Sequence, residues 1–184
     1  MIVGIISIIS AIVNIIAGAG VLDMEGLPDK FDVGYIIVAI GSLIAAVLYF
    51  KFGGDVRSGA VSGKVTILAT FVKVVGIVTI ISGIFTIIGG AISEYFDPYG
   101  GIITLIFGLI IYYCGTKIDD GKQTTGDKII WVLLLIAFVL EIIGSLIMCI
   151  AFPIGTITGI CGLIIYIYML MLLFDPEVKS AMNM

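Results

Sequence analysis

Six apolar stretches, each about as long as a bilayer core is thick, take up most of this sequence and leave little for water to solvate. A transmembrane helix needs roughly 20 apolar residues, and the stretches run over about 2–22, 33–52, 65–92, 99–115, 129–151 and 154–174. Of 184 residues, 61% are hydrophobic and 12% charged, whereas a soluble domain is about a quarter charged. So few charges cannot cover the surface of a water-soluble globule. The pattern predicts an all-α fold: a polytopic bundle of six transmembrane helices forming a single membrane domain over residues 1–184.

The basic residues of the loops fall almost all in alternate ones. Residues 23–32 hold Asp23, Glu25, Asp29, Asp32 and a single Lys30, and residues 93–98 hold Glu94 and Asp97. The alternate loops hold Lys51, Arg57, Lys64, Lys117, Lys122 and Lys128, and the tail holds Lys179. Basic residues collect on the cytoplasmic side of a membrane. Both termini are therefore expected in the cytoplasm, and the protein in the plasma membrane. Residues 2–22 end in the small run Ala17-Gly18-Ala19-Gly20, which invites a signal-peptide reading. A signal peptide wants a basic segment ahead of its apolar core, and nothing before Gly4 is charged apart from the amino terminus. The segment reads as the first span.

Residues 3–18, VGIISIISAIVNIIAG, match residues 75–90, VGIVTIISGIFTIIGG, at ten of sixteen positions with a constant offset of 72. The polar coincidences carry the weight: Gly4/Gly76, Ser7/Thr79, Ser10/Ser82, Asn14/Thr86 and Gly18/Gly90. The fourth and sixth spans agree as Ile106–Tyr112 against Ile160–Tyr166. The turns repeat as Phe31-Asp32, Phe96-Asp97-Pro98 and Phe152-Pro153, and the exits as Asp55-Val56-Arg57-Ser58 and Glu177-Val178-Lys179-Ser180. The chain thus parses into hairpins 1–63, 64–128 and 129–184. Two spans per unit make these three parallel two-helix repeats, related by an axis near the membrane normal.

The third apolar stretch is longer than a membrane requires, and its match to the first begins only at Val75. Two readings fit residues 61–72. Val61, Val65, Leu68 and Val72 share one helical face, with Ser62, Thr66, Thr70 and Lys73 on another, as in a helix lying in the interface. Alternatively the segment extends a single long, tilted helix.

Small residues at spacing four let backbones approach in lipid. The expected helix-packing seam is Ser10 and Gly18 in the first span, Ser82 and Gly90 in the third, and Gly155, Gly159 and Gly162 in the sixth. Equivalent faces are expected to meet around a pseudo-threefold axis, where Asn14 would find Thr86 or Ser82. Glu141 stands out as a charge near mid-membrane, where an ionised carboxylate costs about 2.5–3.5 kcal/mol. Lys73 is the one basic residue inside an apolar run. Glu141, Lys73, Asn14 and Thr86 make up the candidate intramembrane polar site, with Glu141 either paired to Lys73 or handling a proton, ion or solute.

Catalysis is not expected, and no catalytic residue, metal or cofactor is assigned. The sequence has no His, the residue most used for acid–base work and metal ligation. Gly59–Lys64 falls one residue short of a nucleotide-binding loop and lacks the following hydroxyl residue. A net charge of −4 argues against nucleic acid as a partner.

With hairpins of the type Ile80-Ile81-Ser82-Gly83-Ile84, the whole chain resembles the acid-resistance (HdeD-like) membrane proteins. The exit Asp175-Pro176-Glu177-Val178-Lys179 is similar to that of uncharacterised archaeal and bacterial membrane proteins. The resemblance implies a small bundle of unknown or stress-related role and assigns no site residues. The heavy use of isoleucine suits an A/T-rich prokaryotic genome. The expectation is a non-enzymatic membrane bundle whose partners are the bilayer and either a second copy or another membrane protein. The alternative is a small-solute or ion carrier, resembling the substrate-capture subunits of energy-coupling-factor importers, that uses Glu141.

Overall fold

A computed structural model describes residues 2–20, 31–122, 124–151 and 156–184. Its helices are α1 (Ile2–Gly18), α2 (Val33–Ser58), α3 (Lys64–Ile92), α4 (Pro98–Ile118), α5 (Thr125–Ala151), α6 (Thr156–Leu173) and α7 (Pro176–Ala181), with no strand among the described residues. Four of them, α2 to α5, are long and apolar enough to cross a membrane, which makes the chain a membrane helical bundle; α1 and α6 are apolar but shorter. The acidic segment 23–30 and the Phe152-Pro153 turn lie outside the described residues.

The chain forms two compact units, Met1–Gly54 with Lys73–Tyr113, and Asp55–Val72 with Cys114–Met184. The division runs through α2, α3 and α4.

In the first unit the helix starts are set by acidic caps. Asp32 accepts hydrogen bonds from the backbone N–H of Gly34 (2.8 Å) and Tyr35 (3.3 Å) at the head of α2. Asp97 does the same for Tyr99 and Gly100 (both 3.0 Å) at the head of α4. Each cap satisfies donors that the helix itself leaves unpaired. Pro98 follows Asp97 at the first helical position, where its missing N–H costs nothing. The second oxygen of Asp32 accepts from the Ser93 hydroxyl (2.7 Å), tying the start of α2 to the end of α3.

Glycines hold these helices together as antiparallel neighbours. Cβ atoms added at Gly4 and Gly18 of α1 would fall 2.9 Å from the Phe50 ring and 2.7 Å from Tyr35 Cβ of α2. Along α3, Gly76 and Gly83 bring the helix onto the backbone of α4 at Tyr112 and Leu105, with added-Cβ distances of 2.5 and 2.6 Å. From the α4 side, Gly101 and Gly108 meet Ile87 and Ile80. A seven-residue spacing keeps such contacts on one seam of a shallowly crossing pair. Two span hydroxyls turn inward on their own helices: Ser7 donates to the Val3 carbonyl (3.0 Å) and Thr79 to the Val75 carbonyl (2.8 Å), the same bond at the offset of 72. With no water in hydrocarbon, that is their nearest satisfying acceptor.

The second unit carries the tightest core. Leu68, Val72, Ile118, Leu173, Val178 and Met182 are all no more than 2% exposed. Leu68 and Val72 belong to the face that also reads as interfacial, and they are sealed by protein. Residues from Lys64 onward are simply the start of α3, a helix of 29 residues, about 43 Å long. At the head of α5 the buried Asp127 accepts from the N–H of Thr124, one half of a capping box.

Candidate functional site

The packed face of α5 is written by Trp131, Leu134, Phe138 and Ser145, all buried. Spacings of three, four and seven put them on one side of the helix. Opposite it in α6, Gly159 and Gly162 make room for this face: added Cβ atoms would lie 2.5 Å from Cys149 Sγ and 2.5 Å from Ser145 Oγ. Phe138 also lies against Tyr166, with ring centroids 6.4 Å apart.

Glu141 sits three residues past Phe138 and four before Ser145, at the margin of that stripe, and is exposed. At 100° per residue, Ala137 and Gly144 flank it on the side turned away from α6. Both are exposed, and a Cβ on Gly144 would meet nothing within 4 Å. Among the described residues, no hydrogen bond or ion pair reaches Glu141. One further turn along the same side of α5, Met148 is exposed as well.

The other expected site residues are distributed as follows. Lys73 is half-buried on α3 in the first unit, while Glu141 belongs to the second. Asn14 is half-buried on α1 between Ala11 and Gly18, on the face that meets α2; Thr86 is half-buried on α3. Among the described residues neither side chain makes a hydrogen bond, so the expected Asn14–Thr86 bond is not formed. The reason is the pairing: α1 spends its small face on α2. Ser10 and Ser82 are exposed, while Gly18, Gly90, Gly159 and Gly162 stand in close contacts. Gly90 meets Phe96 and Pro98 of the turn into α4. Gly155 lies outside the described residues. Reading at spacing four missed Gly76, Gly83, Gly101 and Gly108; the seven-residue interval was the available signal.

A second feature missed from sequence is the docking of α7. Asp175 caps that helix through the N–H of Glu177 (3.0 Å) and pairs with Lys64 Nζ at 2.7 Å. The hydrogen bond from Lys64 holds the Asp175 carboxyl below the usual carboxylate range. Trp131 Nε1 donates to the Leu173 carbonyl (2.9 Å), and its ring stands edge-on to Phe174 at 5.2 Å. Lys179 lies over both rings, 5.0 Å from Phe174 and 5.9 Å from Trp131. The signal was Asp-Pro, an N-cap followed by its favoured first residue, which occurs at 97–98 and again at 175–176.

Chemically, these arrangements brace helices. Asp120, held below its ordinary range by hydrogen bonds from Lys117 and the Lys122 N–H, closes the turn after α4. Among the described residues no group of three His, Cys, Asp or Glu is placed to hold a metal ion, and the three cysteines form no disulfide. Among the described residues Glu141, like Asn14 and Thr86, makes no hydrogen bond, and Glu141 is the one of the three that is exposed. No family model matches the chain, and no curated protein or solved structure matches it.

Proposed function

We propose that this protein is a non-enzymatic, six-span component of a prokaryotic plasma membrane, with both termini in the cytoplasm, that works by lateral association. One observation carries this reading: a mid-span carboxyl, Glu141, lies exposed among apolar side chains instead of serving the fold. An intramembrane ionisable residue normally faces a bundle interior, so an outward one argues for an interior completed by another chain. The charge sorting of the loops supports the topology. Three parallel repeats are supported by matching details in the first two hairpins: Asp32 and Asp97 as caps, Ser7 and Thr79 as i−4 donors, Gly18 and Gly90 at the turns. The resemblance to acid-resistance membrane proteins adds a stress-related setting.

Two measurements test it. Single cysteines at 57, 120 and 179 are expected to react with an impermeant thiol reagent only from the cytoplasm, and those at 27 and 97 only from outside. Native mass spectrometry from mild detergent is expected to show the chain with a second membrane protein or further copies. External labelling at 57 or 120 overturns the topology. A lone chain that moves a solute into vesicles overturns the association.

A further inference from the structure

We infer that the Ala137–Glu141–Gly144 face of α5 docks a transmembrane helix of a different protein that carries a lysine or arginine near mid-membrane. This rests on the reading of the chain as a laterally associating bundle and names the chemistry of its partner. Three observations meet on this face. Glu141 is exposed and, among the described residues, unpaired. It lies ten residues before the end of α5 at Ala151, about 15 Å along the axis, out of easy reach of headgroup amines. Ala137 and Gly144 bracket it with small, exposed surface, and the space at Gly144 is open. Small residues beside a polar one are what close helix approach in lipid requires.

Charge selects the occupant. Two copies meeting symmetrically on this face would set carboxylate against carboxylate, and like charges at close range repel. The one basic residue inside the chain's own apolar runs, Lys73, is half-buried on α3 and already takes part in an interaction there. A cation at matching depth on another chain neutralises Glu141 while its helix fills the groove between Ala137 and Gly144. In low dielectric such a pair is strong enough to select one partner over another.

The test uses the full chain in phosphatidylcholine vesicles, donor-labelled, with acceptor-labelled synthetic Leu/Ala transmembrane peptides as probes. One probe carries a single central Lys and the other a central Leu. The Lys probe is expected to associate about tenfold more tightly than the Leu probe. Glu141→Leu should abolish that preference. Gly144→Leu, which meets open space within the chain, should keep the fold and weaken binding of both probes. Equal binding of the two probes, or a Lys preference that survives Glu141→Leu, overturns the proposal. Self-association of the chain that depends on Glu141 overturns it in favour of a second copy. Failure of the Lys preference while native mass spectrometry still shows a partner refutes only the basic helix; absence of any association overturns the parent reading as well.

Discussion

Replacing Gly83 by alanine tests whether the α3–α4 pair is held by backbone contact. The added Cβ falls 2.6 Å from the Leu105 nitrogen, 2.8 Å from the Gly101 oxygen and 2.9 Å from Leu105 Cα. All three are backbone atoms, so no side chain can swing aside. Relief requires the helices to part by about 0.8 Å, the difference between 2.6 Å and the 3.4 Å at which contact becomes ordinary. A gap of that size forfeits roughly a quarter to a half of the dispersion energy of each contact it opens, including those at Gly76 and Gly108. Overpacking of this kind costs about 1–3 kcal/mol, offset by up to about 1 kcal/mol because Ala suits a helix better than Gly. With the full offset the expected net loss is up to about 2 kcal/mol. Gly144→Ala supplies the control, since its Cβ meets nothing and only the helix preference remains. The assay is reversible unfolding in mixed micelles of rising SDS fraction, followed by far-ultraviolet circular dichroism. Equal stability of Gly83→Ala and Gly144→Ala would refute the reasoning. Adding Gly76→Ala to Gly83→Ala should cost less than the sum, because one separation of the helices relieves both sites.

Three further outcomes follow from the same geometry. Gly159→Leu should loosen α5 from α6 and lower the unfolding temperature, because its Cβ alone falls 2.5 Å from Cys149 Sγ and 2.7 Å from the Ser145 carbonyl; an unchanged melt places Gly159 against lipid instead. Asp32→Ala should destabilise the first unit by about 1–2 kcal/mol through loss of the cap, and a double-mutant cycle with Ser93→Ala should show coupling of at least about 0.5 kcal/mol; additive effects would deny the 2.7 Å bond. Because Lys64 depresses the folded Asp175 carboxyl, its contribution to docking α7 is complete above the ordinary carboxylate range and lost as pH falls through the depressed value. Trp131, the single tryptophan, reports this: its emission should shift red in acid, whereas Asp175→Asn should be shifted already at neutral pH and lack that transition.

Much of this architecture was written locally. Apolar runs of bilayer length follow from composition and specify helices on their own, since an unpaired backbone cannot persist in hydrocarbon. Asp32 and Asp97 mark helix starts because a short carboxylate beside the first turn is a local solution to unpaired N–H groups. Glu141 was legible as a lone charge deep in a span.

Which way each helix faces was decided only by tertiary structure. In water, apolar periodicity separates inside from outside. Here lipid and helix neighbours are equally apolar, so the pattern carries no such division. Hence Gly89 faces α2 while Gly83, six residues away, faces α4; the seven-residue interval groups Gly76 with Gly83 in a sequence of 24 glycines but does not say which helix that seam meets. The face shared by Leu68 and Val72 fits a membrane surface as well as a protein core, and the helices of the second unit make it a core. Glu141 took its significance the same way. Its position came from the sequence, but its outward aim came from Phe138 and Ser145 being the residues that α6 and its neighbours bury.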